Sequence, residues 1–192
     1  MNSATDRSSE LSATATKPPV AMRVLCLGND LLADDSLGIV VAEQFRQFAP
    51  PDIEVISTPE SGFHLLDYVL NIQRLIVVDT VLTGAAPPGT IYAFHDHELQ
   101  AVPGASPHYV GLNETLALAR QLGLRVAEEV LFLAGEAYDC TTLGGEMHPE
   151  VAAAIPRLVS IVLEMVRYGA DSAAVKLECQ KCTSPESDQV PQ

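Results

Sequence analysis

Short apolar runs alternate with segments of helical periodicity along the middle of the chain, and that alternation predicts its architecture. Arg23 to Leu27 (RVLCL) is an apolar run closed by Gly28-Asn29, which reads as a buried strand ending in a turn. From Ser36 to Phe48, apolar residues recur at Leu37, Val40, Val41, Phe45 and Phe48, the spacing of a helix that Pro50-Pro51 stops. Ile53 to Ile56 predicts a second strand and residues 62–72 a short helix. Leu75 to Val78 (LIVV) is a continuous run ending at Asp79, the pattern of a central strand covered on both faces. Thr90 to Phe94 follows the turn Pro87-Pro88-Gly89 as another strand, Leu112 to Leu122 is helical, and Val130 to Leu133 is a further buried strand. Pro149 to Tyr168 closes the chain as a long helix, with Pro156 inside it expected to bend the helix or delay its start. Strands and helices in this order imply an α/β fold, a single domain with a largely parallel twisted sheet flanked by helices on both faces.

The pattern fades at both ends. Residues 1–21 are small and polar, and 170–192 carry Ser, Pro, Glu and Gln with little periodicity, so a domain over 22–169 is expected between a disordered N-terminal tail and a flexible C-terminal one. The 47% hydrophobic content of the 192 residues suffices for one substantial core. There is no run of about 18 apolar residues and no apolar signal-peptide core, which points to a cytoplasmic protein without membrane insertion. The net charge of −14, with no local basic patch, argues against nucleic acid as a partner. Four cysteines, at 26, 140, 179 and 182, are too few and too scattered for a disulfide scaffold. Cys179 and Cys182 form half of a possible zinc site with no second half.

Parallel sheets bind ligands beyond the C-terminal ends of their strands. The sequence places Asp34 and Asp35 after the first strand and Asp79 after the third. Asp34 and Asp35 also suit helix capping. Asp79, delivered directly from an apolar strand, needs a cation, a donor or the open sheet edge, because a buried carboxylate without one is costly. His108, in Ser106-Pro107-His108, is expected on a loop just ahead of the helix near Leu112. Two carboxylates and an imidazole would suit a borderline divalent metal, although spacing alone does not show that they converge. His64, Glu60 and Ser61 follow the second strand and are candidates for substrate contact. His95 and His97 alternate as on an edge strand.

Taken together, GNDLLADDSLG, LIVVDTV with PPGT after it, and SPHYVGL resemble the [NiFe] hydrogenase maturation endopeptidase family in order and spacing, from about Arg23 to Tyr168. The resemblance implies an aspartic-type endopeptidase that removes the C-terminal extension of the hydrogenase large-subunit precursor once nickel is installed. It puts Asp35 and Asp79 at the metal-contacting carboxylates, either of which could be the general base, and His108 at the imidazole ligand. Asp34 becomes a neighbouring structural acid. Nickel is then presented by the substrate, and no organic cofactor is implied. Cys26 departs from the family pattern, where a glycine is common.

Two other readings compete. A phospho-receiver domain also pairs acids after its first strand with an aspartate ending its third, but it needs a lysine beyond a later strand, and Val130 to Glu136 carries none. A peptidyl-tRNA hydrolase-like enzyme would share Leu27-Gly28-Asn29, against which the net charge weighs. There is no HExxH helix and no Gly-x-Ser-x-Gly elbow, so a resident zinc or a serine triad is not expected.

Overall fold

The structure is a computed structural model and describes residues 20–96 and 107–169, excluding the side chains of 107–110. Residues 1–19 and 170–192 of the predicted tails, with Cys179 and Cys182, lie outside the described residues, as does His97; Val20 and Ala21, expected in the N-terminal tail, instead begin the first strand, where Val20 pairs with Ile72.

Five strands form one sheet in the order β2-β1-β3-β5-β4, with β1 at Val20–Leu27, β2 at Ile53–Thr58, β3 at Ile72–Val81, β4 at Ile91–His95 and β5 at Glu129–Glu136. All neighbours are parallel except β4, which runs antiparallel to β5. The helices are α1 (Leu37–Arg46), α2 (Leu66–Val69), α3 (Pro107–Gln121) and α4 (Pro149–Tyr168), and short 3-10 turns precede α1 at Asp34–Ser36 and α2 at Gly62–Leu65.

Side-chain alternation along the strands divides the core in two. Val24, Cys26, Ile76, Val78, Leu131 and Leu133 meet Leu37, Val41 and Phe45 of α1 and Leu158 and Ile161 of α4. Leu25, Leu27, Leu75, Val77, Val130 and Phe132 meet Leu65, Val69, Leu112 and Leu116 on the opposite face. The middles of β1, β3 and β5 are apolar because both faces are covered there, while Arg23 near the start of β1 pairs with Glu54 of β2. Phe94 of β4 stacks on Phe132 with ring centroids 5.4 Å apart, which holds the antiparallel edge strand to the parallel sheet.

α4 begins at Pro149, whose fixed φ suits a first helical position. The preceding His148 caps it, its ring accepting from the Glu150 N–H at 3.3 Å. The helix does not start late: Pro156 lies within one continuous element, and Val151, Ile155, Leu158, Val162 and Met165 recur at helical spacing against the sheet. That burial outweighs the single backbone hydrogen bond a proline removes.

Two expected boundaries are corrected. β3 does not end at Asp79 but runs on through Thr80 to Val81, because its ladder with β5 continues through Asp79↔Ala134, Thr80↔Gly135 and Val81↔Glu136. α3 begins at Pro107 rather than near Leu112, since Pro107 suits the first turn of a helix.

Candidate functional site

Strand order reverses direction between β1 and β3: the chain leaves β1 toward β2 on one side, while β3 leads to β5 on the other. A crevice opens at such a point, outside the C-terminal strand ends. β1 pairs with β3 only as far as Cys26↔Val78, so Asp79 is the first β3 residue beyond that ladder.

The turn leaving β1 is built by two glycines. Gly28, at φ +151°, lies so close to Asp35 that a β-carbon there would sit 2.2 Å from the Asp35 carbonyl oxygen. Gly38, in the first turn of α1, lies as close to Leu27, where a β-carbon would sit 2.0 Å from the Leu27 carbonyl oxygen. Close packing at both positions folds the Asp34–Ser36 turn back over the end of β1, and the Asn29 N–H donates to the Asp35 carbonyl at 3.2 Å.

The two acids of that turn have different fates, and neither caps α1 through its side chain. This corrects the capping expectation, since both carboxylates are buried and directed elsewhere. Asp34 accepts three backbone N–H groups from the loop between β5 and α4: Tyr138 at 2.7 Å, Asp139 at 2.8 Å and His148 at 2.6 Å. It is a fully engaged structural carboxylate that fixes this loop beside the site. Asp35 instead turns toward β3, where its Oδ1 accepts the Thr80 hydroxyl at 3.0 Å.

Asp79 is fully buried, and its Oδ1 accepts the Thr80 backbone N–H at 2.8 Å. Thr80 therefore touches both carboxylates, one through its main chain and one through its side chain. Alternation puts Asp79 on the same face as Val77 and Val81, the face that α3 covers. His108 stands in the first turn of α3, not on a preceding loop; its side chain lies outside the described residues. That end of α3 is seated at the same sheet edge. Gly111 meets the backbone of Gly62, where a β-carbon would come within 2.5 Å, and the Thr115 hydroxyl donates to the Gly62 carbonyl at 3.0 Å.

The structure thus joins Asp35 to Asp79 through Thr80 and brings the helix carrying His108 to the face that Asp79 occupies. Among the described residues no three His, Cys, Asp or Glu side chains form a metal-holding group. Glu60, Ser61 and His64 are exposed on the loop after β2, with His64 Nδ1 3.9 Å from Glu60 Oε2. His95 ends β4, where it pairs with Leu131 near the middle of β5, away from the C-terminal strand ends.

Sequence reasoning missed four contributors. Thr80 reads as one more strand residue in LIVVDTV. Cys140 lies with its thiol 3.9 Å from the Thr80 hydroxyl, and burial, reinforced by Asp35, Asp34 and Asp79, pushes it up to about 12. Glu136 is buried at the end of β5, where it accepts from Thr83 N–H, Thr83 hydroxyl, Gly84 N–H and Tyr92 hydroxyl at 2.7–2.9 Å, tethering the loop after β3. Asp139 is held ionised, its carboxyl far below the usual range, by hydrogen bonds from Thr142 and Thr141.

A family model described as hydrogenase maturation protease matches residues 39–165, beginning four residues after Asp35. The hydrogenase expression/formation protein HupD of Bradyrhizobium diazoefficiens is 29% identical over 148 residues, covering 74% of this chain and 76% of that protein. The hydrogenase 2 maturation protease of Escherichia coli is 32% identical over 108 residues, covering 53% of this chain and 66% of that protein. Among solved structures, the hydrogenase maturating endopeptidase HybD from E. coli superposes with a TM-score of 0.68 at 26% identity, covering 77% of this chain and 92% of that one. The [NiFe] hydrogenase maturation protease HybD from Thermococcus kodakarensis shares the fold, with a TM-score of 0.60 at 24% identity over 76% of this chain and 98% of that one.

Proposed function

This chain belongs to the hydrogenase maturation protease family and is a peptidase, and from that premise we propose which protein it cuts and with which residues. Its substrate is a hydrogenase large-subunit precursor, from which it removes the C-terminal extension. Nickel already installed in that precursor is part of the substrate, and Asp35, Asp79 and His108 contact it. The observation that carries this reading is the pairing of Asp35 and Asp79 through Thr80 at the strand-order reversal, beside the helix that bears His108.

The donor set fits such a cargo: carboxylates and imidazole suit a borderline divalent ion, and an incomplete set leaves positions for the ligands the precursor itself provides. Nickel would polarise a nearby carbonyl. The protein's own part is to hold the two carboxylates rigidly and to move a proton. Asp35 Oδ1 accepts the Thr80 hydroxyl and Asp79 Oδ1 the Thr80 N–H, which fixes both carboxylates, and these two residues are assigned to metal contact and to proton transfer from attacking water. Because only a metal-carrying precursor completes the site, cleavage reports that nickel insertion has occurred.

The phospho-receiver alternative is not favoured: β5 ends in Ala134-Gly135-Glu136, the described residues contain no lysine, and the relatives are proteases. A cytoplasmic location belongs to the proposal and is supported by the free thiols of Cys26 and Cys140. No helix among the described residues is long and apolar enough to cross a membrane.

The test is incubation of the precursor, with and without nickel, followed by the intact mass of the product. Loss of a C-terminal peptide only from the nickel-bearing form is expected. Equal cleavage of the nickel-free form would remove the nickel contact from the account.

A further inference from the structure

The exposed large apolar side chains among the described residues fall into two groups. Phe48, Leu122, Leu124 and Tyr168 lie at or just beyond the C-terminal ends of α1, α3 and α4, at the edge where the parallel strands begin. Leu31, Phe63, Leu82, Tyr138 and Leu143 follow the C-terminal ends of β1, β2, β3 and β5 and so rim the opposite edge, which carries Asp35 and Asp79. Leu31 is 60% exposed and Leu143 is 74% exposed. One such side chain in water needs no explanation, several along an edge are a candidate surface for another molecule, and only the second group lies at the edge that carries Asp35 and Asp79.

These side chains stand on ordered backbone. The Gly144 N–H donates to the Leu31 carbonyl at 2.8 Å, and Leu32 and Leu143 form an antiparallel bridge, so the loops after β1 and β5 support each other. Asp34 fixes the second of them at both ends through Tyr138 and His148. A partner landing here meets a surface whose ordering cost is largely met in advance.

Charge indicates the kind of partner. Residues 28–36, 59–64, 82–90 and 137–149 contain no Lys or Arg, while Asp30, Glu60 and Glu146 are exposed among them. A second copy of this chain would set the same anionic rim against itself, and opposed like charges disfavour docking. A cationic surface with apolar side chains at its centre would be complementary on both counts. The surface is also continuous with the site: a peptide reaching Asp35 and Asp79 has to pass this rim.

We propose that Leu31, Phe63, Tyr138 and Leu143 form the docking surface for the substrate protein, engaging an apolar patch in cationic surroundings beside the segment to be cut. The proposal rests on the substrate reading above and adds to it where affinity arises. The test measures release of the C-terminal peptide from nickel-loaded precursor by the full chain. The double variant Leu31→Ser/Leu143→Ser keeps the wild-type thermal melt and kcat but raises KM about tenfold or more, as loss of two apolar anchors implies. Phe48→Ser/Leu122→Ser, at the opposite edge, keeps the wild-type KM. Added salt raises the wild-type KM, and Asp30→Asn/Glu146→Gln flattens that dependence. A wild-type KM for Leu31→Ser/Leu143→Ser, while the wild-type chain cuts normally, overturns the surface alone. The same result with self-association lost in sedimentation assigns the patch to a second copy and also overturns it. A wild-type chain that leaves nickel-loaded precursor uncut overturns the substrate reading and this surface with it.

Discussion

The Thr80 hydroxyl donates to Asp35 Oδ1 across 3.0 Å, tying the central strand to the turn that precedes α1. The same residue donates its backbone N–H to Asp79 Oδ1, so the relative positions of the two carboxylates depend on it. Thr80→Val keeps the shape and the backbone bond but removes the hydroxyl. A hydrogen bond to a charged group contributes about 1.5–3 kcal/mol, so processing is expected to fall at least about tenfold. Thr80→Ser is expected to recover most of it. Single-turnover cleavage by the two variants, with melting curves to show that both fold, checks this.

Asp34 and Asp35 are adjacent and both buried, yet they should fail differently. Asp34 holds three backbone N–H groups, and Asn presents only one acceptor oxygen to them. Asp34→Asn should cost about 3 kcal/mol, lowering Tm by roughly 6–12 °C for a chain of this size. Asp35→Asn still offers an acceptor to Thr80, so it should keep a near-wild-type Tm while losing cleavage. Calorimetry beside an activity assay separates the two. Equal destabilisation by both variants would contradict the division of roles.

Gly28 controls the approach of Asp35 to the sheet. With φ +151° and the Asp35 carbonyl 2.2 Å from where a β-carbon would lie, Gly28→Ala has to displace the turn. Backbone strain of this kind costs on the order of 1–3 kcal/mol, and the displaced atoms are the main chain that carries the Asp35 side chain. Cleavage should therefore fall more than the loss in stability alone explains at a temperature where the variant remains folded. Undiminished cleavage at that temperature would show that the turn's position is unimportant.

Cys140 is near enough to the site to be mistaken for a nucleophile. Burial pushes its thiol, and that of Cys26, up to about 12, so both remain protonated at neutral pH and even near pH 9. Iodoacetamide at pH 8 should leave both unmodified in the folded chain, as read by peptide mass. Cys140→Ala should still process precursor at a rate within a fewfold of wild type. Abolished cleavage in a folded Cys140→Ala chain would require a thiol in the chemistry.

The central strands of this fold were legible because their middles are continuous apolar runs, as in VLCL and LIVV, which suit a sheet covered on both sides. The end of β3 was not. Asp79 resembles a terminator, but Ala134 and Gly135 across the ladder are small and let pairing continue past it. Asp34 and Asp35 were legible as acids at the sheet's edge. Which faced the site was not, because that is decided by N–H groups more than a hundred residues away, at Tyr138, Asp139 and His148. Thr80 was invisible for a related reason: a threonine in a strand has high β-propensity, and nothing local shows that its hydroxyl reaches Asp35. Periodicity missed the start of α3 because Pro107, His108 and Gly111 do not continue the apolar stripe that begins at Leu112. The metal-contacting roles proposed for Asp35, Asp79 and His108 rest on the resemblance and not on spacing.

The most direct measurement is the intact mass of nickel-loaded large-subunit precursor after incubation with wild-type chain and, in parallel, with Asp35→Asn, Asp79→Asn and His108→Ala, each first shown to be folded. The account predicts loss of the C-terminal peptide with the wild-type chain and full-length precursor with all three variants. Normal shortening by all three would contradict the site.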